Sequence, residues 1–201
     1  WALAKTKESF ELFDGDVTDN YFLFTNPHQF GKAINIRMTP IRVVCNNTLT
    51  LSLSQNADKM LTVNHRKEFD ASEVKEQMGI AREKMEQYKS MAAHLGSKRY
   101  TPDNVIQYFN EVFGAPAKEK VDGVLPFTSR NSKGAFENLD VQPGAEFAQG
   151  TWWTAFNSVT NMTDHLQGRS NDGRLVSSWY GRNRKVKLNA LEKALEYADA
   201  A

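Results

Sequence analysis

Between His165 and Lys187 the chain sets six basic side chains, Arg169, Arg174, Arg182, Arg184, Lys185 and Lys187, against a single acid, Asp172. Trp179 and Tyr180 are interleaved with them. Lysine and arginine neutralise phosphates, and aromatic rings stack on bases, so this composition is that of a single-stranded nucleic-acid site. It is also that of a solvated helix flank with Trp179 turned into a core. Arg37 and Arg42 add two cations on strand-like sequence either side of Pro40. On the open face of a half-buried sheet they would bind phosphate, or pair with Asp164 as a structural bridge. His65-Arg66-Lys67 and Lys98-Arg99-Tyr100 are weaker basic patches.

Other chemistries find less support. Cys45 and His165 are a conceivable nucleophile and base, because a thiolate needs a nearby imidazole to form at neutral pH. A cysteine closing the apolar run Ile41-Arg42-Val43-Val44 is more simply a small core residue. The four histidines, His28, His65, His94 and His165, are scattered without Cys-x-x-Cys or His-Glu-x-x-His spacing, so no metal ligands are assigned. No phosphate-cradling glycine loop of either nucleotide-binding pattern occurs, and no cofactor is expected.

The element that must position these groups runs from Gly150 to His165. Thr151 is placed to cap a helix. Trp152, Phe156, Val159, Thr163 and Leu166 then recur at three- and four-residue steps as one apolar stripe. Trp153, Asn157, Thr160, Asn161 and Asp164 form an uncharged-polar row beside it. A helix without a lysine- and glutamate-rich face is expected to be buried on both sides. Asn157 and Thr160 are expected to tie it to the turn at Asn46–Thr48.

Residues 1–66 read mainly as strands, with Asp14-Gly15-Asp16 as a turn and Ile34, Ile36 and Met38 alternating with polar neighbours. Pro40 interrupts that run, and a short helix is slightly favoured after Asn46-Asn47-Thr48. Residues 70–114 read as a helical pair: Val74 to Leu95 keep helical spacing, Asp70 and Glu73 form a capping box, and Thr101-Pro102 opens the second helix. The stretch 115–149, rich in Pro, Gly, Ser and Asn, reads as a long irregular segment, mobile or functional. Residues 150–201 are helical around a Gly-containing turn at Arg169–Arg174. Strands first and helices afterwards predict a single α+β domain, with an N-terminal antiparallel sheet, helices packed on one face and a mostly helical C-terminal half.

Two segments carry a family resemblance. Pro40-Ile41-Arg42-Val43-Val44-Cys45-Asn46-Asn47-Thr48-Leu49 resembles the P-x-R-V-V-C-x-N-T-L signature of the phage/plasmid-like proteins, a domain of unknown function found in phage and plasmid genomes. Gly150 to His165 resembles that family's second signature, G-T-x-W-x-x-x-N-A-V-T-E-Y-x-D-H. Ser158 stands where the pattern has alanine, and Asn161-Met162 where it has Glu-Tyr. The resemblance marks Cys45, Asn47, Asn157, Thr160, Asp164 and His165 as signature positions. It implies a mobile genetic element in a bacterial cytoplasm and supplies no activity.

Composition sets the outer limits. With 25 Lys and Arg against 24 Asp and Glu, the formal net charge is +1, so no global field draws the chain to nucleic acid or anionic membrane. One cysteine permits no internal disulfide and fits a reducing compartment. No apolar run is long enough to span a bilayer, and no secretory leader is read. Opening on Trp1, the sequence is expected to be a piece of a longer chain. The function these readings favour is a non-catalytic phage or plasmid protein that binds single-stranded DNA in recombination or replication, including strand annealing as a homo-oligomer. The rivals are an enzyme using Cys45 and His165, and an interaction module aimed at host defence or copy-number control.

Overall fold

The structure, a computed structural model, describes residues 1–26, 34–44, 47–48, 61–63, 71–168 and 170–200. It is α+β. Strands β1 (Ala2–Glu11), β2 (Val17–Thr25) and β3 (Ile34–Arg42) form an antiparallel meander, and the short β4 (Asn47–Thr48) and β5 (Leu61–Val63) both pair with β3. Among the described residues six α-helices follow: α1 (Ala71–Ser97), α2 (Pro102–Phe113), α3 (Arg130–Glu137), α4 (Trp152–Asn161), α5 (Asn171–Tyr180) and α6 (Arg182–Asp199).

β3 runs through Pro40 without a break, in continuous register with β2 from Thr18↔Arg42 to Thr25↔Asn35. On its other edge β5 pairs with 34–36 and β4 with 41–42, so position 40 lies outside both pairings. A residue without an N–H is tolerated where the ladder needs no donor. Asn47 and Thr48 are strand rather than the helix start their capping side chains indicate.

The pleat sends Phe22, Ile36 and Met38 to one face, where they join Phe10 and the helical core. α4 is the centre of that core, with all ten of its residues buried. The Trp152 ring meets Tyr108 at 5.4 Å and Tyr197 at 5.1 Å between centroids, which joins α4 to α2 and α6. Aromatic pairs of this kind add about 0.5–1.5 kcal/mol each beyond the area they bury. The two-sided burial that the α4 sequence predicts is therefore what the structure holds.

Segment 115–149 is not irregular throughout. It contains α3 and a 3-10 turn at Ala145–Ala148. α3 is only eight residues long, and its capping box uses Ser129 and Ser132, a Ser-x-x-Ser variant without the usual Glu or Gln. Residues 171–174, read as turn, open α5, and Ser170 caps that helix by accepting a hydrogen bond from Gly173 N.

Candidate functional site

The basic side chains separate into a buried set and an exposed set. Arg37 and Arg42 lie five residues apart on one strand, and the period-2 pleat therefore sends them to opposite faces. Neither sits on an open face, and neither pairs with Asp164. Arg42 is bidentate to Asp16, with Nη2 at 2.9 Å from Oδ2, and also donates to the Gly144 carbonyl at 2.9 Å. Trp153 Nε1 donates to the same Asp16 carboxylate at 3.1 Å, and the Arg42 guanidinium lies 5.9 Å from the Trp153 ring centre. Gly144 is in the left-handed region, and a Cβ there would stand 2.9 Å from Arg42 Nη2 and 2.7 Å from Val44 Cγ1. This knot joins β2, β3, the 3-10 turn and α4. Asp16, the partner of Arg42, carries no helical or strand periodicity that would mark it in the sequence beyond its turn position.

Arg37 donates to the Trp179 carbonyl at 3.4 Å and lies 5.0 Å from the centre of the Tyr180 ring. Burial, with the neighbouring Arg184 charge behind it, lowers its pKa from the usual arginine value. Trp179 is 1% exposed, and Tyr180 is hydrogen-bonded to Thr25. Trp179 therefore belongs to the core and offers no stacking surface, while Tyr180 is half-buried with the Arg37 guanidinium over its ring. The aromatic interleaving in the sequence is a packing pattern.

Lys187 is the deepest of the predicted phosphate ligands, at 0% exposure. Its Nζ lies 2.7 Å from Asp164 Oδ1, which also accepts from Ser178 Oγ at 2.5 Å. Desolvation lowers the Lys187 pKa, and Asp164 opposes the fall. Asp164 reaches inward because α4 loosens at Met162–Leu166 into a π turn, which re-aims the side chains after Asn161. Asp164 thus bridges α5 and α6 rather than meeting either strand arginine.

The rest of the polar row on α4 is equally occupied. Ser158 Oγ donates to the Ala135 carbonyl at 2.6 Å, and Asn138 Nδ2 donates to Asn161 Oδ1 at 3.2 Å. Two of the three departures from that pattern, Ser158 and Asn161, are contacts to the α3 end. Asn157 Nδ2 donates to the Trp153 carbonyl at 2.9 Å and Thr160 Oγ1 to the Asn157 carbonyl at 2.9 Å, and α4 packs against β4 at Asn47–Thr48. Cys45, Asn46 and Arg169 lie outside the described residues.

What is left exposed is a smaller basic set around a concave surface. Arg182 and Lys185 are exposed, and Arg174 and Arg184 are half-buried. Arg174 and Arg182 line a cleft of about 400 Å³ whose apolar side is Phe113 and Val186. Arg174 is held in place: Nη1 donates to the His165 carbonyl at 2.7 Å, and Nη2 bonds Asn171. The chain passes beneath it at Gly168, at φ +96°, where a Cβ would come within 2.9 Å of Arg174 Cγ. A second cleft of about 400 Å³ on the other side of Arg174 is lined by Asp164, His165 and Asp172. His165 is exposed there. Among the described residues no group of three or more His, Cys, Asp or Glu could hold a metal ion, and no helix is long and apolar enough to cross a membrane.

These features define an α+β protein whose charged signature residues are mostly internal and whose helical half carries a basic, partly apolar cleft. A family model described as Domain of unknown function (DUF932) matches residues 1–192, and the chain belongs to that family. No curated protein and no solved structure matches the chain.

Proposed function

We propose that this chain is a non-catalytic DNA-binding protein of a phage or plasmid, acting on single strands in recombination or replication within the bacterial cytoplasm. The observation that carries the reading is the cleft at Arg174 and Arg182. It presents a fixed guanidinium and a second exposed one beside the apolar Phe113 and Val186. Phosphates need the cations, and unpaired bases need apolar surface, which a duplex keeps stacked inside. The resemblance of both signatures to phage/plasmid-like proteins supports the setting, and strand annealing by a homo-oligomer is the activity that fits it.

The experiment is fluorescence anisotropy of a labelled oligo-dT over a series of salt concentrations. Affinity that falls steeply with salt, prefers single strands to duplex and weakens in Arg182→Ala/Lys185→Ala is the expected result. Failure to bind at low salt overturns the reading.

A further inference from the structure

The cleft at Arg174 continues past the residues that the sequence marks as basic. Asn131, Gln167 and Gly168 line it and also line a larger cleft of about 680 Å³ on the α3 side. The two therefore share a floor. The far wall of the larger one is α3, where Arg130, Lys133 and Glu137 recur at helical spacing on one face. Between the walls lies Leu166, 60% exposed although it directly follows the α4 signature.

Charge suits this groove to a polyanion. From α3 to α6 it carries Arg130, Lys133, Arg174 and Arg182 against one carboxylate, Glu137. Glu137 is only loosely engaged, at 3.6 Å from Lys133, with both side chains mostly in water. Such an exposed pair contributes little to stability and yields readily to a phosphate. The cleft beyond Arg174 is lined instead by Asp164 and Asp172, which disfavour a polyanion.

We propose that the groove between α3 and α5–α6 is the path of a single DNA strand, with Arg130 and Lys133 as phosphate ligands on its second wall and Leu166 as an apolar contact for bases. This rests on the single-strand reading above and extends it to residues outside the basic run. The strand enters along α3, crosses the Gln167–Gly168 turn and leaves at Arg182.

The test is oligo-dT anisotropy with Arg130→Ala/Lys133→Ala, beside Arg182→Ala/Lys185→Ala and a control, Lys84→Ala/Lys89→Ala, on α1 away from the groove. The α3 variant is expected to bind about ten-fold more weakly at moderate salt. Its plot of log affinity against log salt should flatten by about 1.4, at about 0.7 per phosphate contact with a single strand. Its melting temperature should be unchanged, since Arg130 and Lys133 are exposed. Leu166→Ser, which alters no charge, is expected to weaken binding without changing the slope. Wild-type affinity and slope in the α3 variant, with binding lost in the α6 variant, overturn the path and leave the single-strand reading standing. An equal loss in the α1 control also overturns it, because the effect is then one of overall charge. No binding by the wild type at low salt removes both.

Discussion

The Arg42–Asp16 knot and the Arg174–Arg182 cleft use the same side chain for opposite ends. Arg42 and Asp16 are almost wholly buried, at 4% and 0% side-chain exposure, and every neighbour named above serves to satisfy them. Arg182 and Lys185 stand in water at the start of the last helix. A buried ion must be paired and hydrogen-bonded to be tolerated at all, whereas an exposed one costs little and is available to a ligand. Lys187 shows how fine the division is. It lies five residues beyond Arg182 on the same helix, yet it is sealed against Asp164. Basic residues grouped in sequence are thus one structural set and one candidate binding set.

The largest effect expected from breaking this contrast is at Asp16. Asp16→Ala removes the buried carboxylate that pairs Arg42 and the acceptor of Trp153 Nε1, for a loss of about 3–5 kcal/mol in urea unfolding. A loss under 1 kcal/mol would mean that Arg42 is not sealed from water.

Asp164→Asn is expected to come next, by the same argument applied to Lys187, and it carries a pH signature. The folded-state pKa of Lys187 already lies below its ordinary 10.5 because burial outweighs the pull of Asp164. Between the lowered value and 10.5 the unfolded chain binds the extra proton, so this group makes stability rise with pH through that window. Without the Asp164 charge the folded pKa falls further and the window widens. Melting temperatures of Asp164→Asn should therefore recover relative to wild type as the solution is made alkaline. A deficit that is constant with pH would show that the neutral lysine is no better housed than the charged one. Replacing both partners, as Asp164→Leu/Lys187→Met, should restore much of the stability, because two apolar groups leave no orphan charge.

Gly144→Ala should cost roughly 1–3 kcal/mol, since it combines a left-handed backbone with a collision against Arg42. A neutral result would show that the knot has slack. The smallest stability effect is expected for Arg182→Ala/Lys185→Ala, within about 0.5 kcal/mol per site, and it should fall on oligonucleotide binding alone. A large drop in melting temperature there would move these residues into the structural set and dissolve the contrast.

Much of the architecture was legible from local pattern. The helical spacing from Val74 to Leu95, the Thr101-Pro102 start and the period-2 alternation of Ile36 and Met38 all reappear as α1, α2 and β3. Short elements were not legible. α3 and α5 carry Asn, Ser, Asp and Gly in their first turns, a composition that reads as loop. Pro40 read as a break because sequence does not reveal which edge of a strand lacks a partner.

Local pattern was enough for the α+β order of elements and the two-sided burial of α4. These follow from periodicity and residue type, which act over a few neighbours. Only the tertiary structure decided which cations meet water. Arg42 found its carboxylate 26 residues away and Lys187 found its own 23 away, on other elements. Whether a charge is paired and desolvated depends on what packs over it in three dimensions, and no local spacing encodes that.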